Sequence, residues 1–391
     1  MKLKTLFIIL SLLFVLHISV SDALINDVYG IFGDATPKNT PDAVYITYYH
    51  ATGGNFKYAK STDIGVTWTP GFIQQTDDVG AWSYSNVIDP ETVTAVYFNN
   101  TSNTLQFIKT VNGGASWSMP VDIDSGAVSY LYSSLFAIDF SNIFVSYYDS
   151  TAIDLKYGKT SDGGTTWITG IIDSSIRSGT TTDSSIYAYD TSNVWVSYFH
   201  SRAPINTQDL AVASTVNGGT GWTLDQIDTA GTVGLASRMY SNSSTVLNVV
   251  YLDSTNVDQK FARSINGGLN YTLSILNSGV SCPSFLGCTS ISGVGNDNIY
   301  VAFGTLIGGT NVAAFAKSTD GGSSWVITQL EATNPSYLSI DAFNTNYIFI
   351  SYKNASNNLR TARSIDGGDT WTIQTIENIG ATGGYTVIGA K

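Results

Sequence analysis

The chain has 391 residues, a formal net charge of −12 and 12% charged side chains, against about 25% in an average domain. The acidity excludes a nucleic-acid partner, because phosphate contacts need clustered Lys and Arg, and a 43% hydrophobic fraction excludes a disordered chain. With 37 Gly, 23 Tyr and only three Met, and without Leu-rich runs of helical period, the composition argues against an all-helical fold.

Residues 1–23 read as a secretory signal. Lys2 and Lys4 form the positive start, residues 6–20 are nearly all apolar, and Ser21 and Ala23 place small side chains before a cut at Leu24. The apolar run is shorter than the roughly 20 residues a spanning helix needs. No later stretch is long and apolar enough to cross a bilayer. The expectation is therefore a secreted or extracellular protein whose mature part, 24–391, is a single domain.

From residue 44 onward one pattern recurs. The first β-rich run is Val44-Tyr-Ile-Thr-Tyr-Tyr49, followed by a short alternating run and the motif Ser61-Thr-Asp63-Ile-Gly65-Val-Thr-Trp68. The motif returns with Asn112 and Trp117, Asp162 and Trp167, Asn217 and Trp222, Asn266 and Tyr271, Asp320 and Trp325, and Asp366 and Trp371. Its closing aromatics are 49, 50, 55, 49, 54 and 46 residues apart. Before each motif stands a run such as Ile143-Phe-Val-Ser-Tyr-Tyr148 and then one such as Leu155-Lys-Tyr-Gly-Lys159; after it comes one such as Trp167-Ile-Thr-Gly-Ile-Ile172. A looser fourth run, for example 129–138, precedes the next unit. Alternation, β-branched and aromatic residues, and polar turns predict four strands per unit. Four strands about every 50 residues predict an all-β fold: one seven-bladed β-propeller of four-stranded antiparallel blades. Residues 380–391 read as a further inner strand, expected to complete the first blade beside residues 25–36.

The motif falls in the hairpin between the third and fourth strands. Its Asp or Asn is expected to accept hydrogen bonds from its own turn, its glycines to adopt positive φ, and its Trp to wedge into the blade. The pattern S/T-x-D/N-x-G-x-x-W/Y resembles the Asp-box, or BNR repeat, of sialidases and other propellers, over about residues 45–373. That resemblance implies the propeller fold; it leaves activity open, because the motif accompanies several functions.

A sialidase would need three Arg around a carboxylate, a Tyr–Glu pair and an Asp. Residues 24–68 hold no Arg, although the family's first Arg precedes its first Asp-box. Arg263 and Arg363 occupy the repeat position of Lys60, Lys109, Lys159 and Lys317, which marks them as scaffold. Arg177, Arg202 and Arg238 could still meet on one face, with no motif around them. Asp173, Asp228, Glu331 and Glu377 recur six residues after the motif aromatic, with Asp77 and Asp124 close to that position, and read as turn elements rather than as a catalytic pair. His50 and His200 fall at equivalent places and read as solvated hairpin residues. Cys282 and Cys288, the only cysteines, are expected to bond in an oxidising compartment. No metal site and no cofactor are expected.

The blade connections opposite the motif face vary in length, and variable loops on a regular scaffold are a usual place for recognition. The segments feeding the inner strands carry Trp82, Tyr84, Tyr130, Tyr132, Tyr187, Arg238, Tyr240, Tyr337 and Tyr385. They are the candidate ligand-binding residues, an aromatic and weakly charged rim suited to a glycan or an extracellular protein. The expected function is a non-catalytic recognition module; the alternative is a divergent sialidase-like glycoside hydrolase.

Overall fold

Alternating runs of Val, Ile, Tyr and Phe can bury a face only by pairing into sheets that stack on one another. The structure is a computed structural model that describes residues 39–125, 130–176, 183–202, 207–280, 287–380 and 384–391. It contains seven four-stranded antiparallel sheets, the blades of a β-propeller. Blades 2 to 7 follow the chain over residues 79–125, 130–173, 184–228, 233–278, 289–332 and 336–378. Each runs from an inner strand outward, and residues 40–391 form one compact unit.

Blade 1 closes the ring. Its inner strand is Gly384–Ala390, which pairs antiparallel with Val44–His50, followed outward by Asn55–Ser61 and Thr69–Gln74. Ala43 and Lys391 exchange both backbone hydrogen bonds at 2.9 Å. The C-terminal run is thus an inner strand whose partner is Val44–His50; residues 25–36, its expected neighbour, lie outside the described residues.

The repeated turn is built by side-chain hydrogen bonds within eight residues. In blade 1 the Gly65 N–H donates to Ser61 Oγ at 2.8 Å, and the N–H groups of Val66 and Thr67 donate to Asp63 Oδ1 at 3.1 and 2.8 Å. Asn112, Asn217 and Asn266 accept from the backbone in the same place. The aromatic of the turn packs between blades, not within its own. Trp117 lies against Tyr58, Trp167 against Phe107, Trp222 against Tyr157, Trp325 against Phe261 and Trp371 against Phe315, with ring centroids 4.9–5.6 Å apart. In every case the second ring comes from the third strand of the preceding blade. Where that strand carries Val212 or Thr361, Trp195 and Phe349 of the adjoining strand approach the glycines of the next turn.

Two further contacts repeat around the ring. Lys60, Lys109, Lys159, Lys317 and Arg363 each donate to a backbone carbonyl in the turn of the next blade, at 2.6–3.3 Å. On the opposite face the recurring carboxylate does more than open a connection. Tyr48, Tyr147, Tyr198, Tyr251 and Tyr352 donate to Glu377, Asp124, Asp173, Asp228 and Glu331 of the preceding blade at 2.5–2.8 Å. Lys57, Lys156, Lys260 and Arg360, paired across the strand from four of these Tyr, reach the same carboxylates. Burial alone would push the Asp124 carboxyl up, but hydrogen bonds from Lys156 and Tyr147 outweigh it and hold it below its ordinary value.

Candidate functional site

All seven repeated turns lie between third and outer strands, so they share one face of the ring. Antiparallel order then places the start of every inner strand at the opposite face. An open cavity lies there, at the mouth of the central channel, and the inner strands of blades 1, 2, 3, 5, 6 and 7 contribute to it.

Local backbone geometry aims the aromatic side chains. The ladder between inner and second strands slips between Ala81 and Tyr84, between Leu131 and Ser134, between Leu235 and Arg238, and between Ser336 and Ser339. In blade 1 it slips between Val387 and Gly384. At these bulges Trp82, Tyr337 and Tyr385 have φ of +55°, +55° and +54°. Bulky residues rarely adopt this left-handed conformation, and bulges of this kind re-aim side chains beside functional sites. The rings of Trp82 and Tyr385 have centroids 4.6 Å apart, as do those of Tyr385 and Tyr337. Gly384 makes room for the last, because a Cβ there would lie 2.2 Å from the Tyr337 ring. The outcome is a continuous wall of three half-buried rings.

A polar pair faces into the same cavity. Arg238 donates through Nη1 to Asp183 Oδ2 at 2.8 Å and to its neighbour's carbonyl, Ser237 O, at 2.8 Å. Burial pushes the Asp183 carboxyl up, and the Arg238 charge only partly opposes this. Burial raises the Tyr84 hydroxyl too, with Arg238 again pulling the other way. Behind Tyr337, the Lys353 ammonium lies 6.0 Å from the ring centroid, and burial pulls its pKa down. Hydroxyls complete the lining. Thr386 Oγ1 donates to Tyr337 O at 2.6 Å and Ser133 Oγ to Trp82 O at 2.7 Å, so each ties a bulge of one blade to the inner strand of the next.

Of the nine sequence candidates, Trp82, Tyr84, Arg238, Tyr337 and Tyr385 therefore line one cavity. Tyr187 and Tyr240 belong to the other end of the channel. Tyr187 is buried, edge-on to Phe136 at 4.7 Å, and Tyr240 donates to Gly295 O at 3.0 Å, so both pack between blades. Tyr130 and Tyr132 stand on an inner strand, but their side chains lie outside the described residues, as do Arg177, the Arg202 side chain and Cys282. Cys288 is buried and disulfide-bonded. His200 differs from expectation: it is 5% exposed, not solvated. Asp183 escaped the sequence reading. Its signal is a lone carboxylate entering the hydroxyl-rich and apolar inner strand of blade 4. Among the described residues no group of three or more His, Cys, Asp or Glu is placed to hold a metal, and no helix is long and apolar enough to cross a membrane.

No protein-family model matches the chain, and no curated protein matches it. Among solved structures it is similar to an ulvan lyase of a polysaccharide lyase family, at 12% identity over 88% of this chain and 91% of that one, with a TM-score of 0.56. A six-bladed fucose-recognising lectin of Aleuria aurantia aligns at 14% identity over 77% of this chain and 96% of its own, with a TM-score of 0.49. A Hadza microbial sialidase aligns at 11% identity over 90% and 86%, with a TM-score of 0.49. At these identities the likeness is one of fold.

Proposed function

We propose that the chain is a secreted recognition module that binds a saccharide without turning it over, in the cavity walled by Trp82, Tyr385 and Tyr337. The observation that carries the reading is the three-ring wall opposite the Arg238–Asp183 pair. Aromatic faces stack on the C–H faces of sugar rings, and such a wall buries apolar area at little cost in side-chain entropy. The guanidinium and carboxylate supply a donor and an acceptor within one ligand's reach, and charge-assisted hydrogen bonds of this kind fix orientation. Because the pair is internally neutralised, it suits hydroxyl groups better than a carboxylate-bearing sugar. The similar ulvan lyase acts on a polysaccharide, which agrees at the level of fold.

One observation favours the hydrolase reading: Asp183 is buried, with its carboxyl pushed up, as a general acid requires. A glycan array run beside a fluorogenic sialoside assay separates the two. The module reading expects array binding with no turnover. Turnover abolished by Arg238→Ala or Asp183→Asn overturns it in favour of the hydrolase.

A further inference from the structure

The contact between carboxylate and ammonium that joins neighbouring blades is missing in blades 2, 4 and 6; in blade 2 Gln106 stands across from Tyr97, whose hydroxyl is buried without a partner. In blades 3 and 5 an ammonium sits between two carboxylates: Lys156 between Asp124 and Asp149, Lys260 between Asp228 and Asp253. Each Lys stands directly across the ladder from Tyr147 or Tyr251. In blade 4 the Tyr is Tyr198, its carboxylate is Asp173, and the residue across the ladder is Ala211. Blade 6 loses all the polar partners together, with Phe303 for the Tyr, Asn277 for the carboxylate and Ala314 for the Lys. Blade 4 loses the Lys alone.

The side chain opposite Asp173 has changed to match. Asp149 and Asp253 follow their Tyr by two residues, and His200 holds that position after Tyr198. His200 Nε2 is 3.5 Å from Asp173 Oδ2 and 3.4 Å from the Ser175 hydroxyl. Nδ1 is buried without a hydrogen-bond partner, on a side chain that is 6% exposed. In blade 1, where His50 stands at this position, the longer Glu377 takes both bonds of Lys57. Beside Asp173 and His200 a groove opens where the Lys of other blades would lie, floored by Ala211 and flanked by Asp225.

We infer that this groove between blades 3 and 4 is a binding site for a primary ammonium supplied from outside the chain, a small amine or the side chain of a lysyl peptide. The ammonium donates to Asp173, as Lys156 and Lys260 do to their carboxylates, with the His200 imidazole in the place of the second carboxylate. The inference is independent of the saccharide reading, since the groove lies away from the channel mouth.

The test is an NMR titration of protein labelled at alanine methyl groups, read at Ala211. Its probes are n-butylammonium, n-butanol, and Nα-acetyl-lysine methylamide with and without Nζ-acetylation. The ammonium probes are expected to shift the Ala211 methyl saturably, and the neutral probes to leave it in place. Asp173→Asn is expected to weaken binding at least about tenfold, the loss of one charge-assisted hydrogen bond. Ala211→Lys places the chain's own ammonium in the groove, so it is expected to melt higher than wild type and to bind no amine. Binding of n-butylammonium but not the lysine amide supports a small-amine source; binding of both supports a lysyl side chain. An unmoved Ala211 methyl, equal response to butanol, or an Ala211→Lys protein that melts lower than wild type overturns the inference.

Discussion

Gly164 is the second glycine of the blade 3 turn, and two independent demands fall on it. Its φ is +88°, and a Cβ would lie 2.1 Å from Cε1 of Phe107 in blade 2. Gly164→Ala should therefore cost about 1–2 kcal/mol for the left-handed backbone and about 1–3 kcal/mol for overpacking. In a domain of this size the combined loss lowers Tm by about 3–7 °C. Gly309 separates the two terms, since its φ is +80° with nothing within 4 Å of a Cβ. Gly309→Ala should show the backbone term only. The assay is thermal unfolding by circular dichroism of both variants, followed by a double-mutant cycle with Phe107→Ala. The cycle should return a coupling of about 1–3 kcal/mol, because removing the ring relieves the clash. Equal Tm losses at the two glycines, or a cycle that is additive, would refute the claim that the turn glycine is an interblade contact.

Other perturbations follow from the same contacts. Hydrogen bonds from Thr67 or its counterparts hold the carboxyls of Asp63, Asp320 and Asp366 at about 2, below the ordinary 3.8. A folded-state value below the unfolded one stabilises above about pH 4, and the contribution is lost as pH falls toward 2. Replacing these three aspartates and Asp162 by Asn, the residue already at Asn112, should flatten the acid limb of Tm against pH; an unchanged limb would count against the turn carboxylates as its source. Lys156→Ala leaves Asp124 without its cation between blades 2 and 3 and should cost about 2–4 kcal/mol in urea unfolding, against about 1 kcal/mol for Tyr147→Phe. Deleting residues 384–391 removes the inner strand of blade 1 and opens the ring, so the truncated chain should lose its cooperative unfolding transition; retention of the full-length Tm would contradict closure by that strand.

The blade count and strand order were legible because the seven turns carry an undiluted local code, with a capping Ser or Thr, an Asp or Asn and a Gly in each copy. What the turns do between blades was not. Trp167 and Phe107 are 60 residues apart, and nothing local says that one closes on the other. Likewise Asp124 reads as a turn residue until Tyr147 and Lys156 are seen to reach it from the next blade. At the candidate site, the aromatic residues could be found from their position before the inner strands. Their separation into one cavity and one packed group could not, because it depends on bulges at Trp82, Tyr337 and Tyr385. None of these positions carries the glycine that would have announced a left-handed residue. Asp183 was hidden for a related reason: its role comes from Arg238 on the adjacent blade.

The most direct test of the account is calorimetric titration of a saccharide selected on the array against wild type, Trp82→Ala and Trp371→Ala. Losing one stacking ring at the channel mouth should weaken binding about tenfold or more. Trp371, which is packed between blades 6 and 7, should affect stability and leave affinity in place. Equal affinity for wild type and Trp82→Ala would contradict recognition at this cavity.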